Sequence, residues 1–196
     1  MKIIFALLSY FLGTISPGFF LFHMTDRKDI RKIGSGGTGA TNVLRLKGWK
    51  FALPVLIVDI IKGALPVYLA LLIFENLTFA SLCAFLVVVG HCFPFYLKFR
   101  GGKGIATTVG VYSVLALKPL LLALSVFFLA VVFTRYVSLG SLFLTLSFPL
   151  LVYLLRGQRE IIGLGILIML LVAVRHHDNI SRLIKGSERK IGERIQ

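Results

Sequence analysis

Residues 51–74 read FALPVLIVDIIKGALPVYLALLIF and contain only two charged side chains, Asp59 and Lys62. A helix needs about 20 mostly apolar residues to cross the hydrocarbon core of a bilayer, so this stretch predicts a transmembrane helix. Six further stretches of the chain are similarly apolar: 3–22, 77–97, 105–117, 119–134, 137–155 and 161–174. Three of these are short, and we expect them to be tilted or partly shielded by neighbouring helices.

The amino-acid composition excludes a soluble fold. Of the 196 residues, 57% are hydrophobic and 15% are charged, and a soluble protein of this length has no interior large enough to bury so many apolar side chains. Intrinsic disorder is excluded as well, because disordered chains are poor in apolar residues. The sequence predicts an all-α fold, a polytopic membrane helix bundle that forms one integral-membrane domain over residues 1–196. We expect seven transmembrane helices, or five if 105–117 and 119–134 are re-entrant or interfacial.

The distribution of Lys and Arg predicts how these helices are oriented. With seven spans, one side of the membrane receives 17 basic residues and the other receives four. The segments on the basic side are 23–50, 98–104, 135–136 and 175–196. Basic loops stay in the cytoplasm, so we expect the N-terminus outside and the C-terminus in the cytoplasm. The net charge of +14 then serves orientation and attraction to anionic lipid, and nucleic acid is not an expected partner.

The first unusual loop is residues 34–45, GSGGTGATNVLR. Four glycines in six residues allow the backbone to turn its N–H groups inward as an anion-binding nest. A short helix beginning at Ala40 would add the positive end of its dipole, and Arg45 could clamp a phosphate. Three hydroxyl donors lie in the same loop: Ser35, Thr38 and Thr41. The alternative is a flexible turn with an incidental arginine, and the glycine density together with the hydroxyls favours the anion site.

The second unusual loop lies within residues 90–108, GHCFPFYLKFRGGKGIATT. A Walker A motif needs Ser or Thr directly after its lysine, and a glycine follows Lys103, so that motif is absent. What remains is a second glycine-rich nest that contains a lysine and leads straight into an apolar helix, which indicates another phosphate site. His91 is either a hydrogen-bonded structural histidine or an active-site histidine, and the sequence alone leaves both open.

The third unusual segment is residues 175–190, RHHDNISRLIKGSERK, after the last predicted span. An apolar stripe at positions 180, 183 and 184 predicts an interfacial helix on an anionic leaflet. That interpretation accounts for the basic residues but not for His176, His177 and Asn179. The chain contains no His or Cys spacing that is typical of a metal site, so no metal is expected.

Asp59 and Lys62 lie three residues apart within the 51–74 stretch and therefore share one helix face. A charge at the centre of a membrane costs about 2.5–3.5 kcal/mol on insertion scales, so such a residue indicates a function by default. Mutual neutralisation is the simpler interpretation, and both stay open. In either case we expect the pair to face the interior of the bundle.

Taken together, the three segments resemble the three signature motifs of bacterial acyl-phosphate-dependent glycerol-3-phosphate acyltransferases, the PlsY family. The likeness is collinear and continues into the spans, for example at residues 59–63, DIIKG. One position departs from the family pattern, because Gly37 stands where the family usually has Asn. Four other positions of the first motif agree with the family: Ser35, Thr41, Asn42 and Arg45.

The resemblance implies transfer of a fatty acyl group from acyl phosphate to the 1-hydroxyl of sn-glycerol 3-phosphate. The products would be 1-acyl-glycerol 3-phosphate (lysophosphatidic acid) and phosphate, in the first acylation of phospholipid synthesis. It implies no cofactor and a multi-pass protein of the bacterial cytoplasmic (inner) membrane, with the three loops converging on an active site at the cytoplasmic face. The expected partners are the two substrates, membrane lipids and a soluble enzyme that produces acyl phosphate.

The resemblance also implies roles for individual residues. Those expected to bind phosphate or substrate are Ser35, Gly36, Thr38, Thr41, Asn42, Arg45, His91, Gly102, Lys103, Thr107, His177, Asn179, Arg182 and Glu188. Catalytic roles are expected for Ser35, Arg45, Lys103 and His177. We assign His177 and Asn179 to the glycerol 3-phosphate side, supported by Arg182 and Glu188. No histidine has an aspartate five residues later, so the general base stays open between His177, His91 and the phosphate of acyl phosphate itself.

A transporter or channel for a phosphate-bearing solute is the main alternative, since broken spans and intramembrane charges are also features of transporters. No paired halves are visible in the sequence, however, and the basic residues gather on one side. A membrane phosphatidyltransferase is a weaker alternative. It would need an Asp-rich metal motif, whereas the eight acidic residues of this chain are scattered.

Overall fold

The computed structural model describes residues 1–193. Over that range the chain forms ten α-helices and no β-strand, which confirms the all-α prediction. The helices are α1 (Lys2–Thr14), α2 (Pro17–Asp26), α3 (Ala40–Lys47), α4 (Trp49–Phe74), α5 (Leu77–Cys92), α6 (Ile105–Leu115), α7 (Leu117–Thr134), α8 (Val137–Leu154), α9 (Arg159–Arg175) and α10 (His177–Ile184).

Within the described residues, four helical segments are long and apolar enough to cross a membrane. They are α4, the stretch Leu77–Leu97 that contains α5, α7 and α8. The number rises to six if each of two bent helix pairs forms one span, which makes the protein a membrane protein of several spans. The predicted seven exceeds this number by one. The difference is α6, which is apolar but only 11 residues long.

The span predicted over residues 3–22 is built from two helices. Helix α1 ends at Thr14, α2 begins at Pro17, and the two helices are bent by 41°. Proline has no N–H to donate, and its ring disfavours the helical conformation in the residue before it. Ser16 accordingly has φ −114° and ψ 88°, outside the helical region. The proline therefore explains why the first apolar stretch is broken.

The end of the chain contains a second bend. Helix α9 occupies the span predicted over 161–174, and α10 follows it at an angle of 65°. Residue His176 lies between the two helices. Helix α10 covers the segment for which the sequence predicts an interfacial helix. The bend therefore separates the apolar α9 from the polar segment that carries the third motif.

Packing divides the described residues into two compact units, residues 1–111 (unit 1) and residues 112–193 (unit 2). In unit 1, α1 packs on α5 at two glycines where the backbones nearly touch. A Cβ built on Gly13 would lie 2.1 Å from the carbonyl oxygen of Val87, and one on Gly90 would lie 2.2 Å from that of Tyr10. Small residues that allow close backbone approach are typical of helix packing in membranes.

In unit 2, the helices α7, α8 and α9 pack in sequence order. Gly140 of α8 lies close to α7, where a Cβ would meet the Phe127 side chain at 2.9 Å. The ring of Tyr112 stacks on that of Phe148 with 3.4 Å between centroids. The expectation of a single domain over 1–196 stays a prediction, and its last three residues lie outside those that the structure describes.

Candidate functional site

Asn42 organises the first glycine-rich loop from inside it. Its side chain is buried on α3, and its Oδ1 accepts a hydrogen bond from the Ser35 N–H at 2.9 Å. Its Nδ2 donates to the carbonyl oxygens of Gly37 at 2.9 Å and Ile33 at 3.2 Å. The amide of Asn42 is therefore engaged with the loop backbone. It gives residues 33–37 a defined shape, and the predicted contact of Asn42 with phosphate stays a prediction.

The remainder of the first loop is held against α2. The carbonyl oxygen of Thr38 would lie 2.1 Å from a Cβ built on Gly18, so only glycine permits this crossing. Thr38 is buried, and its hydroxyl has no hydrogen-bond partner among the described residues. Gly36 is exposed and has φ +73°, a left-handed conformation that favours glycine. These contacts give the loop a defined turn, and the preference for an anion site over a turn with an incidental arginine stays a prediction.

Helix α3 begins at Ala40, as the sequence predicts, directly after this loop. The N-terminal amides of a helix favour an anion, through their unpaired N–H groups and the helix dipole. Thr41 and Arg45 lie one turn apart on α3 and are both half-buried. The predicted anion site therefore combines the first loop, the start of α3 and Arg45, and its binding of phosphate stays a prediction.

Arg31 connects the first loop to the second, a link that the sequence does not reveal. Its Nη1 donates to the carbonyl oxygen of Leu97 at 2.6 Å. The rest of its guanidinium binds both carboxylate oxygens of Asp29, with Nε at 2.9 Å and Nη2 at 2.7 Å. These hydrogen bonds hold the pKa of Asp29 below its usual value. The only sequence signal for this link is an aspartate two residues before an arginine in an otherwise basic loop.

The second glycine-rich loop rests on the end of α5. The N–H of Gly101 donates to the carbonyl oxygen of Cys92 and that of Gly102 to the carbonyl oxygen of His91, both at 3.1 Å. The loop ends at Gly104, whose φ of +86° turns the chain into α6. Lys103 is half-buried in this turn. Its position between two constrained glycines is consistent with the predicted phosphate contact.

Thr107, predicted as a phosphate-binding residue, lies on the buried side of α6. Its side chain is completely buried, and its hydroxyl has no hydrogen-bond partner within the described part of the chain. A Cβ built on Gly63 of α4 would lie 2.2 Å from its carbonyl oxygen. Thr107 therefore marks the close contact of α6 with α4, and its predicted role stays a prediction.

His91 is buried beside the charged pair of α4. Its Nδ1 lies 3.4 Å from Asp59 Oδ1, and Lys62 Nζ lies 2.7 Å from the same oxygen. On the other side of the ring, a Cβ built on Gly102 would lie only 2.0 Å from Nε2. Asp59 and Lys62 are buried, so the expectation that they face the interior is confirmed. Both nitrogens of His91 point at protein atoms, which disfavours His91 as the general base.

Three polar side chains surround Glu188 in unit 2, two from the third motif segment and one from α8. The Glu188 carboxylate accepts hydrogen bonds from Asn179 at 2.7 Å, Arg182 at 2.8 Å and Ser138 at 2.9 Å. Burial alone raises the pKa of Glu188, but these three hydrogen bonds outweigh it and hold the pKa below its usual value. The sequence predicts three of these residues but misses Ser138, which comes from α8 and has no distinguishing neighbours.

The two adjacent histidines of the third motif differ sharply in environment. The His177 side chain is 73% exposed, and its Nδ1 lies 3.0 Å from the carbonyl oxygen of Val174. A carbonyl oxygen can only accept, so Nδ1 donates, while Nε2 lies 3.1 Å from Oδ1 of the exposed Asp178. His176 is buried, with its Nδ1 2.9 Å from the Val172 carbonyl oxygen. Of the two, His177 alone has the exposure that a general base needs.

The structure thus groups the predicted site residues within each unit. In unit 1, Arg31, which precedes the first loop, hydrogen-bonds to Leu97, which precedes the glycines of the second loop. In unit 2, Asn179, Arg182 and Glu188 bind one another, and His177 stands outside this group.

Comparisons with known proteins identify the family of the chain. Residues 3–186 match the family model described as glycerol-3-phosphate acyltransferase. The glycerol-3-phosphate acyltransferase of Endomicrobium trichonymphae is 42% identical over 191 residues, which cover 97% of this chain and 96% of the relative. That of Thermoanaerobacter pseudethanolicus is 40% identical over 193 residues, with coverage of 97% and 96%.

Solved structures give the same result. The crystal structure of PlsY (YgiH), an integral membrane glycerol 3-phosphate acyltransferase, in its glycerol 3-phosphate form has a TM-score of 0.92 at 32% identity and covers 97% of this chain and 96% of its own. The lysophosphatidic acid form has a TM-score of 0.89 at 30% identity, with coverage of 97% and 95%. The chain therefore belongs to the PlsY family of glycerol-3-phosphate acyltransferases, integral membrane enzymes of phospholipid synthesis.

Proposed function

We propose that this enzyme transfers a fatty acyl group from acyl phosphate to the 1-hydroxyl of sn-glycerol 3-phosphate and releases lysophosphatidic acid and phosphate. The observation that carries the proposal is the pair of glycine-rich loops that Arg31 joins in unit 1. Each loop is rich in glycine and carries a basic side chain on it or on the helix that follows it, Arg45 for the first loop and Lys103 for the second. Two anion sites suit a reaction in which both substrates carry phosphate.

In this proposal, the phosphate of acyl phosphate is bound by the first loop and α3. Ser35 and Thr41 donate hydroxyl hydrogen bonds, Gly36 permits the turn, and Arg45 forms the bidentate clamp. Asn42 keeps the loop in shape, as its bonds to the Ser35 N–H and the Gly37 carbonyl support. Lys103 adds a second positive charge from the neighbouring loop.

On the glycerol 3-phosphate side, we propose that His177 and Asn179 contact the substrate. The hydrogen bonds of Glu188 to Asn179 and Arg182 support a holding role for this carboxylate. It accepts from both side chains and so sets their orientation. The same family includes structures of PlsY in glycerol 3-phosphate and lysophosphatidic acid forms, which are consistent with these ligands.

The chemistry requires little more than positioning. The substrate hydroxyl oxygen bonds to the acyl carbon, the bond from that carbon to the phosphate oxygen breaks, and phosphate leaves as an anion. Because phosphate is a good leaving group, the basic side chains act mainly by bringing two repelling anions together and by stabilising developing charge. The hydroxyl proton passes to the leaving phosphate or to His177 Nε2. A His177→Gln variant that retains turnover and KM would assign this step to the phosphate.

The proposed topology has seven spans, with α6 as a short fourth span, the N-terminus outside and the C-terminus in the cytoplasm. The excess of Lys and Arg on one side supports a site at the cytoplasmic face of the bacterial inner membrane, where a soluble enzyme supplies acyl phosphate. Both native cysteines are buried, so introduced cysteines can be labelled selectively. With seven spans, an impermeant thiol reagent labels Lys118→Cys and Gln158→Cys from outside, whereas failure to label Lys118→Cys favours five.

The activity is tested with the purified protein in detergent, acyl phosphate and labelled glycerol 3-phosphate. We expect labelled lysophosphatidic acid and an equal amount of phosphate. Acyl-CoA and acyl carrier protein thioesters serve as alternative donors in parallel reactions. If a thioester supports the reaction and acyl phosphate does not, the proposed donor is wrong. Counterflow of glycerol 3-phosphate in liposomes without product would instead establish the transporter alternative.

A further inference from the structure

Asp59, Lys62 and His91 form a buried polar cluster in unit 1. Both Lys62 Nζ and His91 Nδ1 face the same oxygen, Asp59 Oδ1, at 2.7 Å and 3.4 Å. The side chains are between 1% and 4% exposed. Placing a charged side chain within a membrane span costs free energy, so such a residue indicates a function by default. Neutralisation accounts for the Asp59–Lys62 pair, but it leaves the presence of a histidine on a different helix unexplained.

The histidine connects this cluster to the second glycine-rich loop. Gly102 lies so close to the imidazole that a Cβ would come within 2.0 Å of Nε2, and its N–H donates to the backbone carbonyl of His91 itself. The orientation of the ring therefore sets how closely Gly102 approaches α5. Because Lys103 is the next residue, the position of its backbone depends on the same contact.

The segment of α4 that carries the charges also supports the other end of this loop. Gly63, next to Lys62, lies against the Thr107 carbonyl oxygen of α6. Further along, a Cβ built on Gly110 would lie 2.0 Å from the carbonyl oxygen of Ile60. Helix α6 begins directly after the loop, so α4 determines where the loop ends. The loop is thus fixed at one end through His91 and at the other through α6.

Lys62 extends the cluster towards the first loop. Its Nζ also donates a hydrogen bond to the carbonyl oxygen of Ile15, at the break between α1 and α2. A broken helix leaves carbonyl groups without their usual partners, and the ammonium group satisfies one of them. Helix α2 begins there and contacts Thr38 of the first loop at Gly18. The cluster is therefore connected to the supports of both loops.

We propose that Asp59, Lys62 and His91 are positioning residues for the phosphate-binding loops. Asp59 holds the His91 ring beneath Gly102 and so fixes Lys103, while Lys62 ties the same carboxylate to the α1–α2 break. None of the three contacts substrate. The proposal rests on the proposed function insofar as Lys103 binds a phosphate-bearing substrate.

The test uses the double variant Asp59→Asn/Lys62→Met, which removes both charges and leaves no unpaired charge in the membrane. Hydrogen exchange followed by mass spectrometry reports on the amides of Gly101 and Gly102 without any need for activity. We expect them to exchange about tenfold faster or more, because their local opening becomes easier. In the acyl transfer assay, we expect the KM of one phosphate-bearing substrate to rise about tenfold while kcat changes much less.

A double-mutant cycle separates positioning from general structural damage. Because Lys62 also supports the first loop, we expect the charge-free variant to have a smaller but not zero effect on kcat/KM in a Lys103→Met background than in the wild-type protein. The matched control is Asp26→Asn, which breaks another Asp–Lys ion pair of unit 1, the 2.6 Å contact with Lys47. We expect this control to leave the exchange of residues 101–102 and both KM values unchanged.

Unchanged exchange at residues 101–102 in the charge-free variant would overturn the proposal. An undiminished effect in the Lys103→Met background would do the same, since the cluster would then act elsewhere. If the wild-type protein transfers no acyl group, the proposed function fails, and the exchange measurement still decides whether the cluster holds the loop. The two failures are therefore distinguishable.

Discussion

Replacing Gly102 with alanine directly tests how the second glycine-rich loop is fixed. The added Cβ would lie 2.0 Å from His91 Nε2, 2.8 Å from Cε1 and 2.9 Å from Cδ2. Ordinary van der Waals contact begins at 3.4 Å, so the loop or the ring must move by about 1.4 Å. The ring is held from the far side by Asp59, and the loop is held by the two amide hydrogen bonds to α5.

The size of the effect follows from this displacement. Overpacking a well-packed interior costs about 1–3 kcal/mol of stability. A displacement of about 1 Å in a positioning element lowers activity by about 10²-fold. We therefore expect Gly102→Ala to fold with a lower unfolding temperature in detergent and to lose about two orders of magnitude in kcat/KM.

The assay compares Gly102→Ala with Gly163→Ala, in which no heavy atom lies within 4 Å of the added Cβ. Gly163 lies in α9, where alanine stabilises a helix by about 0.5–1 kcal/mol relative to glycine. We expect wild-type kcat/KM and an equal or higher unfolding temperature for this control. Wild-type kcat/KM in Gly102→Ala would refute the reasoning, because it would show that the contact with His91 does not fix Lys103.

Three further predictions concern single side chains. Asn42→Ala removes the amide that pairs with the loop backbone, so we expect a loss of about 1–3 kcal/mol of stability and a higher KM for acyl phosphate. Thermal unfolding and steady-state kinetics measure the two effects. Unchanged values would show that the loop keeps its shape without Asn42. The pKa of Glu188 is lowered in the folded state, so ionised Glu188 stabilises the fold fully at pH values above its ordinary pKa of 4.5, and this stabilisation disappears as the pH falls through the lower folded-state pKa. Glu188→Gln should abolish this part of the pH dependence of the unfolding temperature. Parallel curves of unfolding temperature against pH for the two proteins would contradict the prediction. The Tyr112 hydroxyl is buried without a hydrogen-bond partner among the described residues, so Tyr112→Phe should leave the unfolding temperature unchanged or raise it, and a clear decrease would reveal a partner.

The sequence predicts the two glycine-rich loops well because their properties are local. Glycine density, a following helix and a nearby basic residue all lie within about 12 consecutive residues, the range over which turn chemistry acts. The start of α3 at Ala40 is a consequence of this local pattern. The Arg31–Leu97 hydrogen bond escapes prediction because it joins residues 66 positions apart, and no local rule determines such a pair.

The buried cluster shows the same limit within one site. Helical spacing places Asp59 and Lys62 on one face of α4, so their pairing follows from the sequence. His91 belongs to α5, and only the packing of the two helices brings its Nδ1 towards the carboxylate. The sequence therefore leaves open whether Asp59 and Lys62 only neutralise each other or have a function, because it does not show that His91 lies beside them.

The adjacent residues His176 and His177 show another limit of the sequence, which does not reveal which of the two histidines is exposed. His176 lies at the bend between α9 and α10 and His177 begins α10, so the two side chains face different surroundings. Which one is buried depends on the 65° bend between α9 and α10. The choice of His177 over His176 as a catalytic residue follows the family resemblance. The exposure of His177 is consistent with that choice.

Acidic side chains that pair with Lys or Arg do not reduce the positive charge of the proposed anion sites. Within residues 1–193, Lys or Arg partners lie within 4 Å of several acidic side chains, among them Asp26, Asp29, Asp59 and Glu188. At 4 Å, a free carboxylate would repel a phosphate charge by about 4 kcal/mol at an effective dielectric constant of 20, enough to cancel a good hydrogen bond. Asp29 and Asp59 instead bind Arg31 and Lys62, which in turn hold the supports of the loops. Negative charge in unit 1 thus organises the backbone near the loops that carry Arg45 and Lys103, the residues proposed to meet the substrates.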